Sequence, residues 1–294
     1  MKNMPKFSHL TIFKEIVSCG SLLETSKKLG ISQPTLSRII KELEANIGSR
    51  LLERSNRGVR LTAVGEVFHQ KIDRVTNQLR NAIDELRGMS SSGEKYLRLG
   101  MSIDPLLCYL GEALDSFNQR YPHTRVTLVE DSPEGLIAKL RNSELDLVLC
   151  SLSNNTTCAD LAMQALTREH FSLYQNGDKA TATLPLAEAK WVVPRSCSVG
   201  HATIKDIASQ YTPNGNIVET DSFLATWCLV KQQGYLALLS DRVVAQYAPQ
   251  LNLKKMPAEE IDISAQFYIF TRNEPVMSPL STAFIDILQA IQPA

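Results

Sequence analysis

Between Ser32 and Lys41 the chain gathers hydroxyl, amide and cationic side chains: Ser32, Gln33, Thr35, Ser37, Arg38 and Lys41, with Pro34 among them. These are the groups that base edges and phosphates require. A glutamine such as Gln33 can both accept from and donate to an adenine edge. Arg38 suits guanine or a phosphate, and Thr35 offers a methyl for thymine or a hydroxyl for phosphate. Ser32, Ser37 and Lys41 suit backbone phosphates, which set register and salt dependence rather than sequence.

Such groups work only if something rigid presents them. Ser32 followed by Pro34 predicts a helix start: the hydroxyl satisfies an orphan amide, and proline's missing N–H is not needed in the first turn. Leu36, Ile39, Ile40, Leu43 and Ile47 recur at three- and four-residue steps and give that helix a buried face. A shorter helix precedes it, ended by a turn at Gly30. Together they predict a helix-turn-helix with the second helix as reader. Leu10, Phe13, Ile16 and Val17 predict a first helix that stops at Gly20, and Ser21 caps the next. Glu42 and Glu44 would repel phosphate and are expected to face away from a duplex.

After Gly48 the pattern shortens to a hairpin: Leu51–Leu52, a turn over residues 54–58, then Val59 to Leu61. Arg54, Arg57 and Arg60 sit at or near its tip, placed for phosphates or a minor groove, although a solvated turn would look the same. Thr62 is expected to cap a long helix running to about Ser90. Its Phe68, Ile72, Val75, Leu79, Ala82 and Leu86 follow a heptad seam. A lone helix cannot bury such a seam, so it needs a second helix, from a dimer or from the chain's own body. Residues 89–94 read as a linker.

The 294 residues carry 31 basic and 31 acidic side chains, but unevenly. Residues 1–90 hold 15 Lys+Arg against 9 Asp+Glu, and residues 91–294 hold 16 against 22. A basic front on an acidic body predicts that only the front meets a polyanion. No apolar run approaches a membrane span and the N-terminus has no signal core, so a cytoplasmic protein is expected. Six cysteines (Cys19, Cys108, Cys150, Cys158, Cys197, Cys228) contain no CxxC pair, and the five histidines (His9, His69, His123, His170, His201) show no metal spacing. Reduced, mostly buried thiols and surface or capping histidines are expected. No metal, cofactor or catalytic residue is indicated: GxSxG, a P-loop, GxGxxG after a strand and HExxH are all missing from the body. An alternative reading is a redox switch that closes a pair such as Cys197 and Cys228.

From Tyr96 strands and helices alternate: strand 96–101, helix 105–120, strand 125–129, helix 133–142 and strand 146–150. That rhythm predicts a parallel sheet. Residues 171–174, 190–193, 216–219 and 235–239 read as further strands, with a helix over 222–232. A last strand (266–270) and helix (278–291) can return to the first block. Two lobes joined by crossing strands would leave a cleft.

Gly30-Ile-Ser-Gln-Pro-Thr-Leu-Ser37, with Ile40-Lys-Glu-Leu-Glu44, Gly48-Ser-Arg-Leu-Leu52, Arg54 and Leu61-Thr-Ala-Val-Gly65, resembles the DNA-binding region of the LysR-type transcriptional regulators. The body resembles that family through Tyr121-Pro122 and Leu145-Asp-Leu-Val-Leu. The chain departs from the family pattern at Thr25-Ser26, at Val64 and over residues 175–179.

The resemblance implies an α/β protein: a winged helix-turn-helix (1–62), a linker helix (63–91), and a two-lobed domain similar to periplasmic binding proteins. The lobes would be 92–161 with 266–294, and 162–265. It implies a homodimer or homotetramer on double-stranded DNA with an interrupted inverted repeat, and RNA polymerase as a further partner. It also implies a small anionic or polar effector between the lobes, beside strand ends and helix N-termini. Here that selects Ser102, Ile103, Ser151, Ser153, Arg195, Ser196, Thr220, Asp221 and Ser222.

Overall fold

The computed structural model describes residues 4–55, 58–88, 94–152, 158–179, 188–195, 199, 201–212, 215–257, 263–275 and 277–291. The chain forms two compact units, residues 1–86 and 87–294.

The first unit is built on capped helices. Helix α1 (Phe7–Cys19) ends at Gly20, whose φ of 64° lets its N–H turn back to the Ile16 and Val17 carbonyls. Ser21 Oγ accepts from the Leu23 and Glu24 amides to start α2 (Leu22–Leu29). Thr25, at a position where the resemblance leads one to expect alanine, is fully buried, and its hydroxyl donates to the Ser21 carbonyl at 2.8 Å. A polar group is thereby buried without loss of a hydrogen bond. Helix α3 (Gln33–Ile47) follows, with Ser32 Oγ accepting the Thr35 amide. Leu36, Ile40 and Leu43 face inward onto Leu10, Phe13 and Ile16. Strands β1 (Leu52–Ser55) and β2 (Gly58–Leu61) pair antiparallel to make the wing. Glu44 fastens the wing to α3, its Oε1 accepting the Leu51 and Leu52 amides at 2.8 and 3.2 Å.

Helix α4 (Ala63–Gly88) starts from a Thr62 hydroxyl that accepts the Gly65 amide at 2.9 Å. The heptad seam divides along its length. Phe68 and Ile72 pack into the core of this unit, with Phe68 edge-on to Phe13 at 5.4 Å. Val75, Leu79, Ile83 and Leu86 stay exposed, Leu86 by 69%. Lys14 ties α1 to the same helix through Asp73 (2.8 Å) and Thr76 (2.7 Å).

The second unit opens with β3 (Lys95–Met101), α5 (Ile103–Arg120), β4 (Thr124–Glu130), α6 (Pro133–Arg141) and β5 (Leu147–Ser151). These strands run parallel in the order β4-β3-β5. This is the parallel block expected from residues 96–150, whereas the rest of the sheet is antiparallel. Strand β6 (Leu161–Asn176) is 16 residues long and runs antiparallel to β11 (Ile263–Arg272), which itself pairs antiparallel with β5. The ladder shifts register between Phe267 and Tyr268, so Leu166 has no partner across the pair. The Gln266 side chain spans the irregularity, donating to the Thr167 and Phe267 carbonyls at 2.8 and 3.1 Å.

Beyond the bulge β6 carries the second lobe. It pairs with β9 (Ala237–Ser240) and β10 (Leu253–Lys255). Strands β7 (Trp191–Pro194) and β8 (Ile217–Thr220) lie parallel beside them, joined through a Trp191–Leu236 bridge. Helices α7 (His201–Tyr211), α8 (Phe223–Gln233) and α9 (Asp241–Leu251) cover this lobe, and α10 (Pro279–Ala290) packs on α5. Helices α7 and α9, strand β10 and the first half of β6 had no counterpart in the sequence reading. Among the described residues no helix is long and apolar enough to cross a membrane.

Gly65 gives a direct test of the head. A Cβ there would stand 2.0 Å from the Leu51 carbonyl oxygen. In an open helix Gly→Ala stabilises by about 1 kcal/mol. Here the clash with backbone outweighs that gain, and Gly65→Ala is expected to destabilise by about 1–3 kcal/mol. Urea unfolding of the variant checks this; a stabilised Gly65→Ala protein would disprove the close approach.

Candidate functional site

The reader helix divides as its sequence requires. Gln33, Pro34, Arg38 and Lys41 are exposed, Thr35 and Ser37 half-buried, and Leu36, Ile40 and Leu43 buried. Ser32 is exposed, but its hydroxyl is engaged with Thr35, 2.8 Å from the threonine hydroxyl and accepting its amide. The Ser32 contribution is therefore helix initiation first. The Arg38 side chain is 73% exposed, and its Nε lies 3.9 Å from Glu42 one turn on. Glu42 is thus beside the reading face, where its charge bears on Arg38. Its other oxygen lies 3.9 Å from His9 Nε2. His123 and His170 are exposed, as expected of surface histidines, whereas His9 is buried and His69 is half-buried against Phe13 and Asp73.

On the wing, Arg60 is exposed and lies opposite Glu53 in the ladder. The Arg54 backbone is in β1 opposite Val59, and Arg57 lies outside the described residues. The function of Glu44 as a wing anchor was not legible in sequence, because its partners are backbone amides after a turn.

The second unit has a small, solvent-open cleft between its lobes. Ile103, Asp104 and Glu130 line it from one lobe, and Phe171, Pro194, Asp221, Phe223 and Leu238 from the other. Of the effector candidates, Ile103 and Asp221 are on this wall. Ser102 precedes α5 but takes no amide, and its buried hydroxyl has no hydrogen-bond partner among the described residues. Ser151 is buried at the end of β5. Ser153 and Ser196 lie outside the described residues.

The remaining candidates have local partners. Ser222 Oγ accepts the Ala225 amide and caps α8. Thr220 Oγ1 accepts from the Ser222 amide at 3.1 Å, and the Thr220 carbonyl accepts the Arg195 amide at 2.8 Å. The Arg195 guanidinium stands 3.6 Å from Glu219 and 3.7 Å from Asp221. An incoming carboxylate would have to compete with both.

The lobes are also fastened away from the wall. Tyr109 on α5 is fully buried and donates to Glu169 on β6 at 2.8 Å. Arg242 on α9 donates to the Tyr109 oxygen at 3.2 Å, lies 3.6 Å from Glu169, and stacks its guanidinium 4.6 Å from the Tyr109 ring centre. Burial, then the hydrogen bond to Glu169, pushes the Tyr109 phenol above its ordinary range, so it stays a donor. Tyr247 adds a hydrogen bond from α9 to the Leu107 carbonyl at 3.3 Å. No motif announced this group: Tyr109 and Arg242 are 133 residues apart.

Among the described residues there is no metal-binding group, and five cysteines are free. Burial pushes the Cys108 thiol to about 12 and the Cys150 thiol higher still, which makes both poor nucleophiles. Cys228 is half-buried, and Cys197, its suggested redox partner, lies outside the described residues.

A family model described as the LysR substrate binding domain matches residues 91–292. The chain belongs to the LysR family. A second model, the lysR-family bacterial regulatory helix-turn-helix protein, matches residues 7–66. This LysR regulator is 26% identical to the HTH-type transcriptional regulator TdcA of Escherichia coli over 272 residues, covering 90% of this chain and 86% of TdcA. It is 31% identical to the HTH-type transcriptional regulator CrgA of Neisseria meningitidis over 140 residues, or 48% of this chain and 46% of CrgA. Among solved structures it resembles CbnR, a LysR family transcriptional regulator, with a TM-score of 0.71 at 17% identity over 97% of this chain and 98% of CbnR. Full-length CbnR complexed with its target DNA gives the same TM-score at 19% identity, covering 97% and 99%. The relatives are regulators of transcription, not enzymes.

The Tyr109 group yields a prediction within this LysR fold. Tyr109→Phe keeps the ring and removes the donor, leaving buried Glu169 one hydrogen bond short at a cost of about 1–3 kcal/mol. Thermal unfolding should show a lowered Tm with an unchanged circular dichroism spectrum. An unchanged Tm would mean that the hydroxyl contributes nothing to holding α5 on β6.

Proposed function

We propose that this LysR regulator binds an operator with α3 in the major groove and the wing on the adjacent backbone. The observation that carries the reading is α3 itself: Gln33, Arg38 and Lys41 project into solvent from a helix whose other face is locked into the core. The solved complex of CbnR with its target DNA supports the same use of a shared fold. Arg38 reads a base or clamps a phosphate. Ser32, Pro34, Thr35, Ser37 and the wing residues Arg54, Arg57 and Arg60 set position and salt dependence.

The protein acts in the cytoplasm as a homodimer or homotetramer on an interrupted inverted repeat. It activates transcription together with RNA polymerase. The exposed half of α4 supplies the dimer seam, since Val75, Leu79 and Leu86 are too many apolar side chains to leave in water on one helix face. A small polar metabolite held between the lobes, near Ser102, Ile103, Ser151, Ser153, Arg195, Ser196, Thr220, Asp221 and Ser222, shifts the lobe arrangement and with it operator occupancy. A coupling of about 1–3 kcal/mol is enough to change occupancy several-fold or more.

Two experiments test this. Genomic fragments selected by the protein supply the operator for fluorescence anisotropy at matched salt. Arg38→Ala is expected to weaken specific binding by about 1–3 kcal/mol if it reads a base, and undiminished binding would remove Arg38 from the reader. Separately, Leu79→Asp places a charge in the α4 seam, where an unpaired buried charge is strongly disfavoured. Sedimentation should then show a smaller species with reduced operator affinity. An unaltered oligomer would mean that the seam packs elsewhere.

A further inference from the structure

We propose that Glu42 is a specificity-determining residue of the reader helix, a proposal that rests on reading α3 as the base-reading element. It directs Arg38 to base edges and penalises its use on phosphate. Glu42 lies one turn beyond Arg38 on the exposed side of α3, and its Oε1 stands 3.9 Å from Arg38 Nε. Its Oε2 lies 3.9 Å from Nε2 of His9, in the first turn of α1. The His9 ring is buried and its Nδ1 has no hydrogen-bond partner among the described residues, so packing rather than a polar network fixes its place. The carboxylate thus stands between a ring held in the head and an arginine with no other ion pair or hydrogen bond among the described residues.

The geometry of the pair decides what it does. Glu42 meets Arg38 at Nε, which leaves both terminal nitrogens without a partner. Guanine offers O6 and N7 side by side to such a fork. In the free protein an exposed pair at this distance contributes little. At a duplex, water leaves the interface and charge interactions strengthen. Two placements of Arg38 then differ. With its terminal nitrogens on a base edge, Arg38 keeps Glu42 at its Nε. Swung to a phosphate, it abandons Glu42 and leaves the carboxylate unpaired beside a polyanion. Discrimination of this kind comes from repulsion against the wrong arrangement as much as from attraction to the right one.

The wing supplies the contrast. Glu53 lies opposite Arg60 in the β1–β2 ladder, and directly opposed residues of antiparallel strands share a face. Both are exposed. The same pair of charges therefore recurs on the same unit, but on an element that meets only backbone, where no base-reading placement can be favoured. Removing the Glu53 charge strengthens every duplex alike.

The test uses the full-length protein and two duplexes of equal length and base composition, one a genomic fragment selected by the protein and one its scrambled counterpart. Fluorescence anisotropy at matched salt gives the ratio of the two affinities for the parent, Arg38→Ala, Glu42→Gln, Glu53→Gln and the Arg38→Ala, Glu42→Gln double variant. Glu42 and Glu53 are exposed, so their glutamine variants will fold. Glu42→Gln is expected to tighten the scrambled duplex and lower the ratio about three- to tenfold, the scale of a coupling between neighbouring side chains. Glu53→Gln is expected to tighten both duplexes and leave the ratio unchanged. With Arg38 already replaced by alanine, Glu42→Gln is expected to change the ratio no further. An undiminished ratio in Glu42→Gln, an equal loss in Glu53→Gln, or the same loss from Glu42→Gln without Arg38 would each overturn the proposal. Arg38→Ala separates the two readings. If it lowers the ratio while Glu42→Gln does not, the reader stands and only the role of Glu42 falls. If it leaves the ratio intact, the base-reading assignment fails, and the role of Glu42 with it.

Discussion

The antiparallel pairing of β6 with β11 is the constraint on which the effector unit depends. One ladder runs from Leu161–Arg272 at one end to Phe171–Ile263 at the other, and both lobes are built onto it. The first lobe attaches through β5, and the second through β9 and β10. A backbone ladder resists stretching and shear but tolerates twist, so the lobes can change their angle without losing their connection. The bulge at Leu166 adds a local bend to this ladder. Glu169, which holds Tyr109 of α5 and lies beside Arg242 of α9, is three residues beyond that bulge, so the side-chain fastening of both helices is anchored next to it.

The head follows a different economy. Its core is small, and backbone hydrogen bonds from single side chains do the positioning. Glu44 holds the start of the wing, Thr62 joins the Arg50 carbonyl to the start of α4, and the Val59 amide reaches the Gly20 carbonyl. The first two ties fix the segment after α3, and the third joins the wing to the turn between α1 and α2. Reader and wing therefore form one rigid surface, and side chains that meet a duplex do so at fixed mutual positions. Helix α4 contributes Phe68 and Ile72 to that core, so half of the linker helix is structurally part of the head.

What the sequence disclosed follows from how local each signal is. The head was legible because caps, left-handed glycines and a helical apolar period all act within a few residues: Ser32, Gly30 and the Leu36–Leu43 face needed nothing distant. Strand β6 was half legible. Its last residues are continuously apolar or buried, whereas Met163, Gln164, Ala165 and Arg168 are exposed and show no clean alternation. The Tyr109 group left no trace, since its members meet only after the sheet forms. Serines before helices were ambiguous for a physical reason. A hydroxyl that caps a helix and one that awaits a ligand are the same group at the same position. Geometry separates them: Ser222 binds the Ala225 amide, and Ser102 binds none.

The bulge has one more consequence, concerning chain length. Before it, odd-numbered Leu161 lies with Phe270 against α6; after it, odd-numbered Phe171 and Leu173 lie on the opposite face, against the larger core. The additional residue inverts the phase of the strand, which lets one uninterrupted segment serve two hydrophobic cores on opposite sides of a sheet. A single-residue insertion or deletion elsewhere in β6 would turn one lobe's inward residues outward. A change of length by one residue is therefore expected to be best tolerated at this bulge, and by two residues elsewhere along the strand.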